Sequence, residues 1–160
     1  MDRVDKILNH NLFIEHIAKN DAAEADRSFC RHNIAHLLDV ARIAMILNLE
    51  EGLFLDKEVV YGAALLHDIG KHVQYEEGRP HEQAGAVIAS DILKECGYSD
   101  LETTVIVDAI RNHRTEGIAE EKSLNGVLYR ADKASRPCFA CNMENLCNWK
   151  KEKKNMQIKY

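Results

Sequence analysis

The chain is short of the residues that interrupt helices. Its 160 residues include only two prolines, Pro80 and Pro137, and eight glycines. Long helices can therefore form, and a fold built on turn-rich β-hairpins is disfavoured. Basic excess is also missing: 21 lysines and arginines stand against 26 aspartates and glutamates, a formal net charge of −5. That balance argues against duplex nucleic acid as the main partner. A phosphate-bearing ligand stays open, because a bound metal can supply local positive charge. No apolar run reaches the roughly 18–20 residues of a membrane span. The stretch 1–20 carries scattered charges where a secretion signal would have an apolar centre. A cytoplasmic protein that engages no membrane is the expectation. Five cysteines, an odd number, suit reduced thiols or metal ligands better than a disulfide framework.

What is present is helix periodicity along most of the chain. At this length one domain with a proper core is expected, and no internal repeat or useful strand pattern interrupts it. Asp2 can cap a first helix running to about residue 20, with Val4, Ile7, Phe13, Ile14 and Ile17 on its buried side. After the polar connector "DAAEAD", a second helix is predicted from about Ser28 to Leu47, with His36, Val40, Ile43 and Leu47 on one stripe. Residues 56–68 form a third, nearly apolar along its second half and hence buried, with Gly70 suited to a left-handed C-terminal cap. Further helices are predicted over about 81–96, 100–113 and 121–135.

The third helix ends in "AALLHDIGKH", which carries an apolar run into His67 and Asp68. Four other polar residues fall on the inward side or at the end of a predicted helix: His36, His81, His113 and Asp132. Any one histidine on an apolar stripe is ordinarily a hydrogen-bonded core residue. Six such groups buried separately would each need partners, because an unsatisfied buried polar group costs several kcal/mol. One or two shared cations satisfy them all, and imidazole with carboxylate suits Fe, Mn, Ni, Co or Zn.

His36 in "HLLDVARIA", the pair His67–Asp68 in "ALLHDIGK" and Asp132 in "LYRADKASR" resemble the ligand positions of the HD-domain (HDIG) metal-dependent phosphohydrolases. "HEQAGAVIA" at His81 and "IRNHR" at His113 are similar to the extra histidines of those relatives that hold two metals. The order of motifs is especially similar to that of the bacterial HD-domain diadenosine tetraphosphate hydrolases. The resemblance covers about residues 28–136. It implies an all-α fold, an HD-domain helical bundle of about six to seven helices around a central metal site. On that reading residues 1–136 are the HD domain, and 137–160 are a cysteine-containing tail packed on the same domain.

The resemblance implies a phosphohydrolase that attacks a nucleotide or other small phosphorylated substrate with a metal-activated water. His67 and Asp68 would be catalytic, and His36, His67, Asp68, His81, His113 and Asp132 would hold one or two divalent ions. Fe or Mn is favoured, with Ni, Co, Zn or Mg as alternatives. In a two-metal site Asp68 bridges the ions; with one metal, His81 and His113 contact substrate phosphate instead. Lys71, Arg114 and Lys133 flank the motifs and are candidates for binding substrate phosphate. Symmetrical cleavage of diadenosine tetraphosphate is a narrower alternative, and a metal or redox sensor or a di-iron HD oxygenase is an alternative of another class. His32 is left as a pocket or surface residue. His10, His16 and His72 are read as surface or flanking residues, and Cys96 as a small core residue.

The tail differs from the rest. "CFACNMENLCNW" spaces Cys138, Cys141 and Cys147 as one side of a structural zinc or iron–sulfur site, with Cys30 as the fourth ligand. Three ordinary thiols, with Trp149 packing the tail, are the competing reading. The oligomeric state is open.

Overall fold

A computed structural model describes residues 1–160. It is all-helical. Eight α-helices follow one another: α1 (Asp2–Leu8), α2 (Asn11–Ala23), α3 (Ile34–Glu50), α4 (Lys57–Leu66), α5 (Lys71–Glu77), α6 (His81–Glu95), α7 (Asp100–Asn112) and α8 (Leu124–Ala134). Short 3-10 turns cover Ile118–Glu120 and three pieces of the tail. None of the helices is long and apolar enough to cross a membrane.

Local chemistry explains most of these boundaries. Asp56 accepts hydrogen bonds from the Glu58 and Val59 amides and starts α4. Ser99 and Glu102 form a reciprocal capping box at α7. Ser123 caps α8 through the Gly126 amide. The single helix expected over the first twenty residues is two, broken at Asn9–His10, because the His10 side chain accepts from the Leu12 amide and starts α2 anew. The second predicted helix begins at Ile34, not near Ser28. Asn33 caps it by accepting from the His36 amide, and 28–33 is a loop.

Helix α4 is the centre of the bundle. Ala63, Ala64, Leu65 and Leu66 are all fully buried, and the last two side chains together contribute about 3–6 kcal/mol by leaving water. Helix α3 packs on α4 and α8, α6 packs on α7, and α7 packs on α4 and α8. Arg3 ties the N-terminus to this core: its Nε lies 2.6 Å from Glu58 Oε2 and its Nη1 2.8 Å from Glu102 Oε1.

Gly70 is not the left-handed cap expected. Its φ of −89° and ψ of 13° are open to any residue, and it starts α5, a short helix the sequence reading did not include. Its role is spatial. A Cβ there would stand 2.5 Å from the Gly85 amide nitrogen and 2.8 Å from the His81 carbonyl oxygen. The missing side chain lets α6 press against the turn that carries Asp68.

Candidate metal centre

Five helices deliver the six predicted ligands to one place. His36 projects from the first turn of α3, His67 ends α4, and Asp68 follows in the tight turn before α5. His81 opens α6, His113 ends α7, and Asp132 lies in the last turns of α8. All six are buried.

The ligand atoms form two sets that share Asp68. His36, His67, Asp68 and Asp132 offer atoms within 4.8 Å of one another, and so do Asp68, His81 and His113. Each oxygen of Asp68 faces a different set. Oδ2 lies 3.5 Å from His36 Nε2 and 3.2 Å from His67 Nε2. Oδ1 lies 3.0 Å from His81 Nε2 and 3.7 Å from His113 Nε2. Asp132 Oδ1 closes the first set, 3.5 Å from His36 Nε2 and 3.8 Å from His67 Nε2.

The opposite ring nitrogens are occupied, which fixes what the Nε2 atoms can do. His67 Nδ1 donates to the Ala64 carbonyl at 2.7 Å, and His113 Nδ1 to the Ile110 carbonyl at 2.6 Å. A carbonyl only accepts, so both rings carry a proton on Nδ1 and can present Nε2 as a lone pair. His81 Nδ1 meets Gln74 Oε1 at 2.5 Å, and His36 Nδ1 meets Ser135 Oγ at 3.2 Å. The Nε2 atoms of His36 and His67 are buried with no hydrogen-bond partner. Orphaned nitrogens of this kind are costly in a core unless a cation takes them, so the residues present fit a metal centre of histidine and carboxylate ligands.

Electrostatics agree. Burial opposes ionisation of Asp68, but His67, His32 and His36 outweigh it and hold the carboxyl well below the usual range. Asp132 is likewise held low, against burial, by His36 and His67. Burial, reinforced by His67, pushes His113 down to about 3, so its ring is neutral. Burial works against charge on His67 too, yet Asp68 and Asp132 raise it to about 10. A proton and a metal ion compete for that same Nε2 lone pair.

Above the carboxylates opens a cavity of about 620 Å³. Lys71, Arg114 and Lys133 all line it, as do Arg27 and Arg136. Lys133 Nζ lies 2.6 Å from Asp132 Oδ2, and Arg114 Nη1 lies 3.4 Å from Glu82 Oε2. Lys71, its pKa lowered by burial, reaches within 3.4 Å of His81 Nδ1. Phe29 and Trp149 supply apolar wall. The four thiols Cys30, Cys138, Cys141 and Cys147 are free and half-buried. Cys30, Cys138 and Cys147 line the cavity itself, while Cys141 shares a neighbouring cleft with Cys30. Cys96 is fully buried at the end of α6.

His32, left between a pocket and a surface position by the sequence, is in the pocket: it is buried, lines the cavity and sets its Nε2 3.9 Å from Asp68 Oδ2. Its Nδ1 bonds Glu24, which also accepts from the His32 amide at 2.7 Å and from Tyr75 Oη at 2.6 Å. These contacts overcome burial and bring Glu24 down to about 2. The pair of histidines four residues apart was the available signal. His72, expected at the surface, is buried, its Nε2 2.8 Å from His16 Nδ1. Asn20 gave no signal, since a lone asparagine near a helix end is ordinary. It donates to the Asp68 carbonyl at 3.0 Å and accepts from the His72 amide at 2.8 Å, bracing the turn from both sides. Asn20→Ala leaves the buried His72 amide unpaired and the Asp68 carbonyl with only the Lys71 amide, and is expected to lower stability by about 1–3 kcal/mol. Urea denaturation checks this, and an unchanged midpoint would show that the turn holds itself.

Residues 33–136 match the family model for the HD domain, and the chain belongs to that family. It is 45% identical over 160 residues, the full length of both chains, to an uncharacterized protein of Clostridium beijerinckii. It is also 36% identical over 122 residues to ribonuclease Y of Clostridium kluyveri, a match covering 76% of this chain but 21% of that protein. In structure it is similar to a predicted HD superfamily hydrolase from an uncultured Thermotogales bacterium, with a TM-score of 0.62 and 26% identity. That match covers 88% of this chain and 80% of the other. The fold is that of an HD-superfamily hydrolase, and the chain carries a histidine–aspartate cluster able to hold metal.

Proposed function

We propose that the protein is a metal-dependent phosphohydrolase that cleaves a phosphoester or phosphoanhydride bond of a nucleotide or another small phosphorylated compound. The observation that carries this reading is the convergence of four imidazole Nε2 atoms on the two oxygens of Asp68, beneath a cavity lined by five cationic side chains. Iron or manganese suits a ligand set of imidazoles and carboxylates. Divalent ions held there supply an acidified water and neutralise developing charge on phosphoryl oxygens.

The chain's own residues do the positioning. Asp68 sits between the two ligand sets and can serve an ion in each. The bonds from Nδ1 to the oxygens of Ala64, Ile110 and Gln74 keep the rings of His67, His113 and His81 from turning away. Arg27, Lys71, Arg114, Lys133 and Arg136 can hold phosphate oxygens by charge-assisted hydrogen bonds. Trp149 and Phe29 offer a planar apolar surface to a base. The cavity is of a size to take a nucleotide.

Similarity to ribonuclease Y favours a second reading, in which the bond is a phosphodiester of an RNA strand. Symmetrical cleavage of diadenosine tetraphosphate is the narrower form of the first. A panel of nucleotides, diadenosine tetraphosphate and a single-stranded RNA oligonucleotide separates them. Hydrolysis of at least one of these is expected to vanish on chelation and return with manganese or iron. Metal-replete protein that leaves every phosphorylated compound intact would overturn the proposal.

A further inference from the structure

The tail poses a physical problem that the metal centre does not solve. No residue from 137 to 160 is buried, and the segment contains only three-residue 3-10 turns. Ordering a chain costs conformational entropy at every residue, and apolar burial is not there to offset it. Asn155 tethers it to the end of α8, its Nδ2 donating to the Lys133 carbonyl at 2.7 Å and the Arg136 carbonyl at 3.0 Å, whereas the bond from Lys154 Nζ to Glu144 Oε1 at 2.9 Å is internal to the tail. Yet the tail contributes Cys138, Cys147, Asn148 and Trp149 to the cavity wall.

The cysteines are where the missing constraint would lie. Cys30 stands in the loop before α3, and the chain brings Cys138, Cys141 and Cys147 around it from the far end of the sequence. Two arginines hold the partners of this corner in place. Arg27 Nε donates to the Cys30 carbonyl at 2.8 Å, and Arg136 Nη1 reaches the Arg31 carbonyl at 3.5 Å. The Cys138 amide donates to the Arg136 carbonyl at 2.9 Å. The sulfurs are not among the side chains already gathered to within 4.8 Å of one another, which are the histidines and aspartates of the centre. Rotation about χ1 moves a half-buried sulfur without moving its backbone.

We infer that Cys30, Cys138, Cys141 and Cys147 bind one tetrahedral zinc ion, a second metal site that clamps the tail to the loop before α3 and so builds one wall of the cavity. Four thiolates in a C-x2-C-x5-C tail plus one distant cysteine match the donor set of a closed structural zinc site, and binding releases the thiol protons to solvent. The site shares no ligand with the histidine–aspartate centre and does not rest on the hydrolase reading.

X-ray absorption at the zinc edge tests this on the wild-type protein expressed with zinc available. A sulfur shell at about 2.3 Å is expected, with one zinc per chain that remains in Asp68→Ala. Cys141→Ser is expected to lose that zinc, and trypsin should then cut within Lys150–Lys154 while the helical core survives. A zinc shell of nitrogen and oxygen alone in the wild type would overturn the inference whether or not the serine variant folds. Iron with acid-labile sulfide at these cysteines would overturn the choice of zinc.

Discussion

Asp68→Ala is expected to lose metal from both ligand sets and to lower hydrolysis by about a thousandfold, the equivalent of about 4 kcal/mol in the transition state. The reason is the position of its two oxygens. Oδ2 belongs with His36 and His67, Oδ1 with His81 and His113, and the alanine offers neither set a carboxylate. Asp68→Asn separates shape from charge. The amide keeps the volume but presents one weak acceptor and one N–H group, so it should bind metal nearly as poorly as alanine. Elemental analysis of both variants beside the wild type, with the substrate panel run on the same preparations, gives the answer. Wild-type metal content and activity in either variant would mean that the centre lies elsewhere.

The second large effect comes from a residue with no chemistry. Gly70→Ala places a methyl 2.5 Å from the Gly85 nitrogen and 2.8 Å from the His81 carbonyl oxygen. Both neighbours are backbone, so no flexible side chain can yield. Either the turn after Asp68 or the start of α6 must move. Overpacking of a well-packed interior costs about 1–3 kcal/mol and sometimes more, and this contact belongs at the upper end. For a chain of this size about 3 kcal/mol corresponds to a fall in Tm of about 6–12 °C. Because His81 opens α6, the shift should also weaken the Asp68–His81–His113 set more than the other. Calorimetry with metal analysis checks both effects. An alanine variant that melts with the wild type would show that the contact relaxes at no cost.

Much of the bundle was legible because its helices carry strong periodic patterns and clear caps. The spans of α4, α6 and α7 follow from Asp56, from the apolar stripe after His81 and from the Ser99–Glu102 box. The six clustered side chains were readable for a similar reason: each is polar at a position where periodicity demands an apolar residue. The helix break at His10 was not, since a histidine acting as an N-cap is a weak signal beside the favoured serine or aspartate. Helix α5 is seven residues long and gains its place from packing on α6 and α2 rather than from pattern. The partners of the centre were the least readable. Asn20, Glu24 and Gln74 act through hydrogen bonds reaching 48, 8 and 7 residues along the chain, and nothing in their neighbours marks them.

Delivery of the ligands from five separate helices has a consequence for the whole molecule. An ion gripped by α3, α8 and the end of α4, or by that same turn together with α6 and α7, behaves as a cross-brace. None of those helices can peel away without breaking a coordination bond. Native stability is therefore expected to rise with free metal, by about 2.7 kcal/mol when the concentration is a hundred times the Kd. Without an ion the same protein would be softer throughout, and so more exposed to proteases.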